Sequence, residues 1–222
     1  MSTSSVRADF DRIALLPESW DHNSELHAYL LAQLPARCEA ALEIGCGTGA
    51  FSRRLAARAE RVLALDLAPN MIRIARERST AFPQVEYRLA DALAEPLPAE
   101  SFDCIASIAT LHHLPIAAML AKLRAALRPG GTLAVADLVA DAGPGDRLVS
   151  AAAVPVQLAL RLARTGRLRD PPEVRRAWRE HGRSDVYLTL PQVRSACAAE
   201  LPGARVRRHL LWRYSIVWHK PC

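Results

Sequence analysis

At 222 residues with 50% hydrophobic content, the chain is long enough to bury a full core without disulfides or metal. No run of 18 apolar residues is free of charge, which argues against a transmembrane helix, and the polar stretch 1–12 with its early acids does not read as a signal peptide. The net charge of +6 keeps anionic partners open, while five cysteines with no C-x-x-C pair argue against a disulfide framework and suit a reducing cytoplasm.

From the amino end, the first helical pattern falls near 24–33 and carries Tyr29, with His22 just ahead of it. The apolar run 40–45 predicts a short buried strand. Gly45-Cys46-Gly47-Thr48-Gly49 follows, and glycines there allow a tight turn that brings backbone close to a ligand. A helix near 50–59 aims its first N–H groups back over the turn. The next strand, 61–66, ends on Asp66, a carboxylate placed to accept both hydroxyls of a ribose. This unit predicts an adenosine-containing cofactor. Gly45 to Ala50 also satisfies G-x-G-x-x-G/A, with Asp66 near the expected spacing of about 20 residues, so a nicotinamide dinucleotide stands as one reading at this point.

Further on, a helix near 69–80 and a strand near 85–90 lead to Asp91-Ala92. A strand over 102–108 is followed at its carboxyl edge by His112-His113, then a helix over 115–127. Pro129 ends that helix, Gly130-Gly131 turn the chain, and a strand over 131–138 follows. Helices are expected near 145–164 and 190–200, and residues 205–219 read as two strands in quick succession. Alternating strand and helix predicts a parallel sheet covered on both faces.

Six segments resemble, in order and spacing, the class I S-adenosylmethionine-dependent methyltransferases. They are Leu-Glu-Ile-Gly-Cys-Gly-Thr-Gly (42–49), Leu-Asp-Leu-Ala-Pro-Asn-Met-Ile (65–72), Ala-Asp-Ala (90–92), Ser-Phe-Asp-Cys-Ile (101–105), Leu-His-His-Leu (111–114) and Leu-Arg-Pro-Gly-Gly-Thr-Leu (127–133). Residues 213–221 are similar to the last strand of a small-molecule subgroup. The resemblance implies an α/β, Rossmann-like, doubly wound and mostly parallel seven-stranded sheet closed by an antiparallel C-terminal strand pair. It also implies S-adenosylmethionine as cofactor, with Asp91 accepting from the adenine amino group and the Ala92 N–H meeting the ring. Glu43 matches the family's acidic residue behind the glycine turn, and its charge suits a ligand carrying ammonium and sulfonium rather than an anionic pyrophosphate. Leu67 and Met71 are placed to wall the adenine, the carbonyls of Ile108 and Ala109 to receive the methionine ammonium, and His22 and Tyr29 to cover the cofactor. Residues 1–222 then form one methyltransferase domain: a cap segment (1–35), a cofactor-binding core (36–139), an insertion or acceptor lid (140–189), and a final helix and strand pair (190–222).

The implied chemistry is displacement at a sulfonium methyl, so the protein mainly aligns a nucleophile and excludes water. A base is needed only for a hydroxyl, an acidic carbon or a protonated amine, and His112 or His113 would serve. The occurrence of their motif across many acceptors in the resembled family argues instead for a structural role. Adjacent histidines on one loop do not make a metal site. Asp170-Pro171-Pro172-Glu173 imitates the loop of nucleobase-amine methyltransferases but lies in the wrong place and lacks a stacking ring, so it reads as a connector. Eight arginines within 161–183 against three acids form a basic stripe, which suits a solvated face, an anionic substrate or RNA phosphates. Residues 149–162 are mostly apolar, and Pro155 within them would kink a helix. The expectation is a cytoplasmic enzyme, monomer or homodimer, acting on a small, apolar acceptor with an anionic group. An RNA methyltransferase and a non-catalytic S-adenosylmethionine-binding regulator are the alternatives.

Overall fold

A computed structural model of the protein describes residues 3–17, 22–183 and 185–222. Helix α1 (Thr3–Ile13) precedes a 3-10 turn (His22–Leu26) and α2 (His27–Gln33). The alternating part comprises β1 (Cys38–Ile44), α3 (Ser52–Leu55), β2 (Ala59–Asp66), α4 (Pro69–Arg78), β3 (Val85–Leu89), β4 (Phe102–Ile108), a 3-10 turn (Leu111–His113), α5 (Ile116–Ala126) and β5 (Leu127–Leu138). Then come α6 (Pro144–Thr165), α7 (Pro172–His181), α8 (Leu190–Glu200), β6 (Arg205–His209) and β7 (Arg213–His219).

The seven strands lie in the order β3-β2-β1-β4-β5-β7-β6. β1 to β5 pair in parallel, and β7 runs antiparallel to both β5 and β6. This is the mixed sheet expected from the rhythm of the chain. The last five residues of β1 are buried, as a strand covered on both faces requires. Side chains alternate across the sheet: Leu42, Ile44, Ile105, Leu133 and Val135 meet α5 and α8 on one face. Ala41, Cys104, Ala106, Ala134 and Ala136 meet Leu30, Leu34, Phe51 and Leu55 on the other, where small residues let the covering segments approach closely.

The differences from the expected elements have local causes. The helix expected over 50–59 is reduced to α3 with flanking turns, because the chain must already enter β2 at Ala59. The turn after α5 is a bulge inside β5: pairing jumps from Phe102–Leu127 to Cys104–Thr132, with Gly130 at φ +76° giving its N–H to the Lys220 carbonyl. The supposed connector at 170–173 starts α7, with Pro171 at the N-cap and Pro172 in the first turn. α6 runs without interruption through Pro155. α1 has no counterpart among the expected elements; it packs on α4 and α7.

Strand order reverses between β1 and β4. In an open parallel sheet the crevice beyond the carboxyl ends at such a point is where ligands bind.

Candidate functional site

The glycine turn is built by three left-handed residues, Gly45, Gly47 and Gly49, with φ of +72°, +50° and +78°. Gly45 and Cys46 give their N–H groups to the Leu65 carbonyl, tying the turn to the end of β2. The three glycines differ in what a side chain would meet. A Cβ on Gly45 would stand 1.9 Å from the Thr110 hydroxyl oxygen, and one on Gly49 would stand 2.4 Å from that of Tyr87. A Cβ on Gly47 meets nothing within 4 Å, because that position faces open space in a cavity of about 960 Å³ at the carboxyl edge of the sheet. The volume is at the upper end for ligand pockets, large enough for a nucleoside-sized cofactor and a second molecule.

Most of the residues singled out in the sequence come together on this wall. Glu43, Gly45, Cys46, Gly47, Asp66, Leu67, Met71, Asp91, Ala92, Ile108, Ala109, His112 and His113 all line it. Cys46 contributes mainly backbone, since its side chain is buried against Ala64, Ile72, Ala75 and Tyr87. Asp66 accepts the Gly47 N–H at 2.8 Å on one oxygen and the Ala68 N–H at 2.9 Å on the other. Its carboxyl is raised by burial, against those backbone donors, and a carboxylate has further lone pairs for ribose hydroxyls. Asp91 combines two roles: it lines the cavity, and its carboxylate accepts the Leu93 N–H at 2.9 Å. Ala109 adopts φ +50°, a left-handed alanine that costs about 1–2 kcal/mol at a cavity wall.

Two residues do not join the wall as expected. Gly49 lies behind the turn, packed on Tyr87. Tyr29 points elsewhere: its hydroxyl is 3.1 Å from that of Ser215 and its ring 4.6 Å from that of His209, so it covers no part of the cavity. The side chain of His22 lies outside the described residues.

Glu43 is buried behind the turn. Burial pushes its carboxyl up to about 8; the Ser52 hydroxyl, donating at 2.5 Å, opposes the rise and the Asp66 charge adds to it.

The two histidines have opposite environments. His112 Nδ1 is 2.6 Å from Asp137 Oδ1, and the His112 backbone N–H donates to Asp137 Oδ2 at 2.8 Å. Asp137 is fully buried at the end of β5, so it fixes both the ring and its tautomer, leaving Nε2 as the acceptor. Burial pulls His113 down to about 4, helped by the neighbouring His112 and His181 and opposed by Asp185. His113 is therefore neutral at neutral pH and a weak base. Its Nε2 and Asp185 Oδ1 are buried without a hydrogen-bond partner, while the Tyr187 hydroxyl donates to the other Asp185 oxygen at 2.9 Å.

Asp137, Asp185 and Tyr187 were not singled out in the sequence. Asp137 had one signal available, because β4–β5 register pairs Ile108 with Ala136 and puts the next residue beside the His112 loop. His112, His113 and Asp185 also bring three metal-capable atoms within 4.8 Å of one another, although His112 commits one nitrogen to Asp137.

The roof over these groups comes from α1 and α7. Phe10 packs edge-on against His113 and His181, and Arg161, Asp170, Val174, Arg175 and Trp178 line the outer cavity. Arg161 is ion-paired with Asp170 there.

Comparison with known proteins follows the same outline. The family model described as a methyltransferase domain matches residues 42–135. An uncharacterized methyltransferase of Mycobacterium tuberculosis is 31% identical over 210 residues, covering 93% of this chain and all of that protein. A malonyl-[acyl-carrier protein] O-methyltransferase of Serratia marcescens is 34% identical over 165 residues, covering 72% of this chain and 52% of that protein. Among solved structures, the N-methyltransferase NodS from Bradyrhizobium japonicum, in complex with S-adenosyl-L-homocysteine, shares the fold at a TM-score of 0.67. It is 20% identical and covers 97% of this chain and 98% of that one.

Proposed function

Because this chain belongs to the class I S-adenosylmethionine-dependent methyltransferases, we propose that it methylates a hydroxyl group on a small apolar molecule, with His112 as the general base. The observation that carries the acceptor chemistry is the His112–Asp137 pair. A buried carboxylate that fixes the Nδ1 proton leaves Nε2 to take a hydroxyl proton as the methyl group is transferred. The Serratia relative named as an O-methyltransferase supports oxygen as the acceptor atom. The cofactor supplies an already activated methyl group on a cationic sulfur.

The chain's own residues do the rest. The backbone at Gly47 leaves room for the cofactor, Asp66 holds the ribose, and Asp91 and Ala92 meet the adenine. The orphaned His113 Nε2 and Asp185 Oδ1 give a polar group of the acceptor its partners, since leaving them unpaired costs about 1–3 kcal/mol each. Phe10, Val174 and Trp178 supply apolar surface that excludes water, and Arg175 at the outer cavity suits an anionic group on the acceptor. The enzyme is read as cytoplasmic. The test is turnover against a panel of apolar hydroxy-acids, with methyl ethers as products; methylation only of amines or thiols would remove His112 from this role.

Two expectations concern the cofactor. Asp66→Ala should weaken S-adenosylmethionine binding by about 1.5–3 kcal/mol, roughly 10- to 150-fold, through loss of charged hydrogen bonds and of the Gly47 anchor. Calorimetric titration measures this, and an unchanged dissociation constant would take Asp66 out of the site.

Glu43 makes binding depend on pH. With its carboxyl near 8 it is mostly protonated at pH 7, and a cationic ligand beside it favours the ionised form. S-adenosylmethionine binding at pH 7 should therefore release up to about one proton, and affinity should rise as pH climbs toward 8. S-adenosylhomocysteine lacks the sulfonium charge and should release fewer. Calorimetry in buffers of different ionisation enthalpy reads the proton directly. Glu43→Gln should abolish the release; if that variant still releases it, the proton has another source.

A further inference from the structure

Helix α6 has 22 residues and buries one of them, Ala153. From Leu148 to Leu160 it carries no charge, a length of about 20 Å. Its exposed side is apolar: Leu148, Val154, Leu158 and Leu162 are between 41% and 73% exposed. A helix in water ordinarily turns such a face toward a core, and a contiguous exposed apolar face marks an interaction surface.

The segment that follows α6 in the chain adds exposed apolar groups and charge. Leu168 and Trp178 are exposed, and Arg167, Arg169, Arg175 and Arg179 make no side-chain ion pair among the described residues. We propose that the α6–α7 face docks on a membrane surface of anionic phospholipid, with α6 lying in the plane of the interface. Apolar side chains entering beside a row of unpaired arginines is the combination that anionic bilayers bind.

A second copy of this chain fits the face less well. A twofold contact would bring together two stripes of eight arginines against three acids, which repel. Spanning is also the wrong mode, because no described helix is long and apolar enough to cross a bilayer. The docked orientation has a consequence for access. Arg161, Val174, Arg175 and Trp178 line the cavity from these same elements, so the cavity lies beside the lipid and an apolar acceptor reaches it without crossing water.

The test is co-sedimentation of the full chain with phosphatidylcholine vesicles and with phosphatidylcholine–phosphatidylglycerol vesicles, at low and high salt. Partition into the anionic vesicles should be stronger by about tenfold or more, and should weaken with salt. Leu158→Asp with Leu162→Asp, and separately Arg167→Glu with Arg169→Glu, should each reduce partition about tenfold or more. These positions lie outside the cavity wall, so circular dichroism and S-adenosylhomocysteine binding should match the parent chain. Equal, weak partition into both vesicle types would overturn the proposal. So would a dimer that Leu158→Asp with Leu162→Asp disperses, or retention of a random-sequence RNA in place of the vesicles.

Discussion

Gly47→Val is expected to give a folded protein that no longer binds S-adenosylhomocysteine. The added side chain meets no protein atom within 4 Å, so folding is spared a collision. It enters instead the cavity proposed to hold the cofactor. The residue also sits at φ +50°, where a β-branched side chain is strained by about 1–3 kcal/mol. Overpacking in the cavity costs a similar amount again, so affinity should fall about a hundredfold or more, with only a modest drop in melting temperature. Gly45→Ala is the control with the opposite signature. Its Cβ would stand 1.9 Å from the Thr110 hydroxyl oxygen, so it should lower the melting temperature first. Calorimetric titration and thermal unfolding together separate the two, and a Gly47→Val protein that binds normally would dismantle the site.

The second large effect belongs to His112. With a hydroxyl acceptor, His112→Ala should reduce kcat by about 10²–10⁴-fold while S-adenosylhomocysteine affinity stays unchanged. Asp137→Asn should act in the same direction, because an amide in contact with Nδ1 no longer dictates which nitrogen carries the proton. Asp137 also accepts the backbone N–H groups of His112 and Leu138, so this variant should be less stable as well. His113→Ala serves as the comparison. Held near 4, its imidazole is a poor proton acceptor, and its loss should raise KM for the acceptor more than it lowers kcat. Equal kcat losses from both histidines would show that neither is the base.

The strands and the cavity wall at their carboxyl ends were legible because each depends on local pattern. A run of apolar residues followed by glycines and an acid reads as a strand and a turn, and of the residues singled out between Glu43 and Ala109 all but Gly49 line the cavity. What the pattern could not show depends on long-range placement. His112 and His113 are neighbours in sequence with the same unperturbed chemistry; only the arrival of Asp137 at one and of Asp185 and His181 at the other makes them different. α7 was hidden by its own arginines. Its inward residues, Val174, Ala177 and His181, are correctly spaced for a helix, but the prolines at 171 and 172 read as a connector and the arginines as a solvated face. Tyr29 was misplaced because an aromatic on a helix reveals nothing about which neighbour it faces; here that neighbour is β7.

The chamber's floor and roof differ in how far apart their parts lie along the chain. The floor is made between residues 43 and 113, where successive strands pair after short connections. The roof joins α1 to α7: Asp9 meets His181 at 3.2 Å and Arg12 meets Glu180 at 3.0 Å, contacts some 170 residues apart in sequence. Closing so wide a loop costs more entropy and comes later than closing the short ones. The cavity's floor should thus assemble early and open last, and its roof should assemble late and open first.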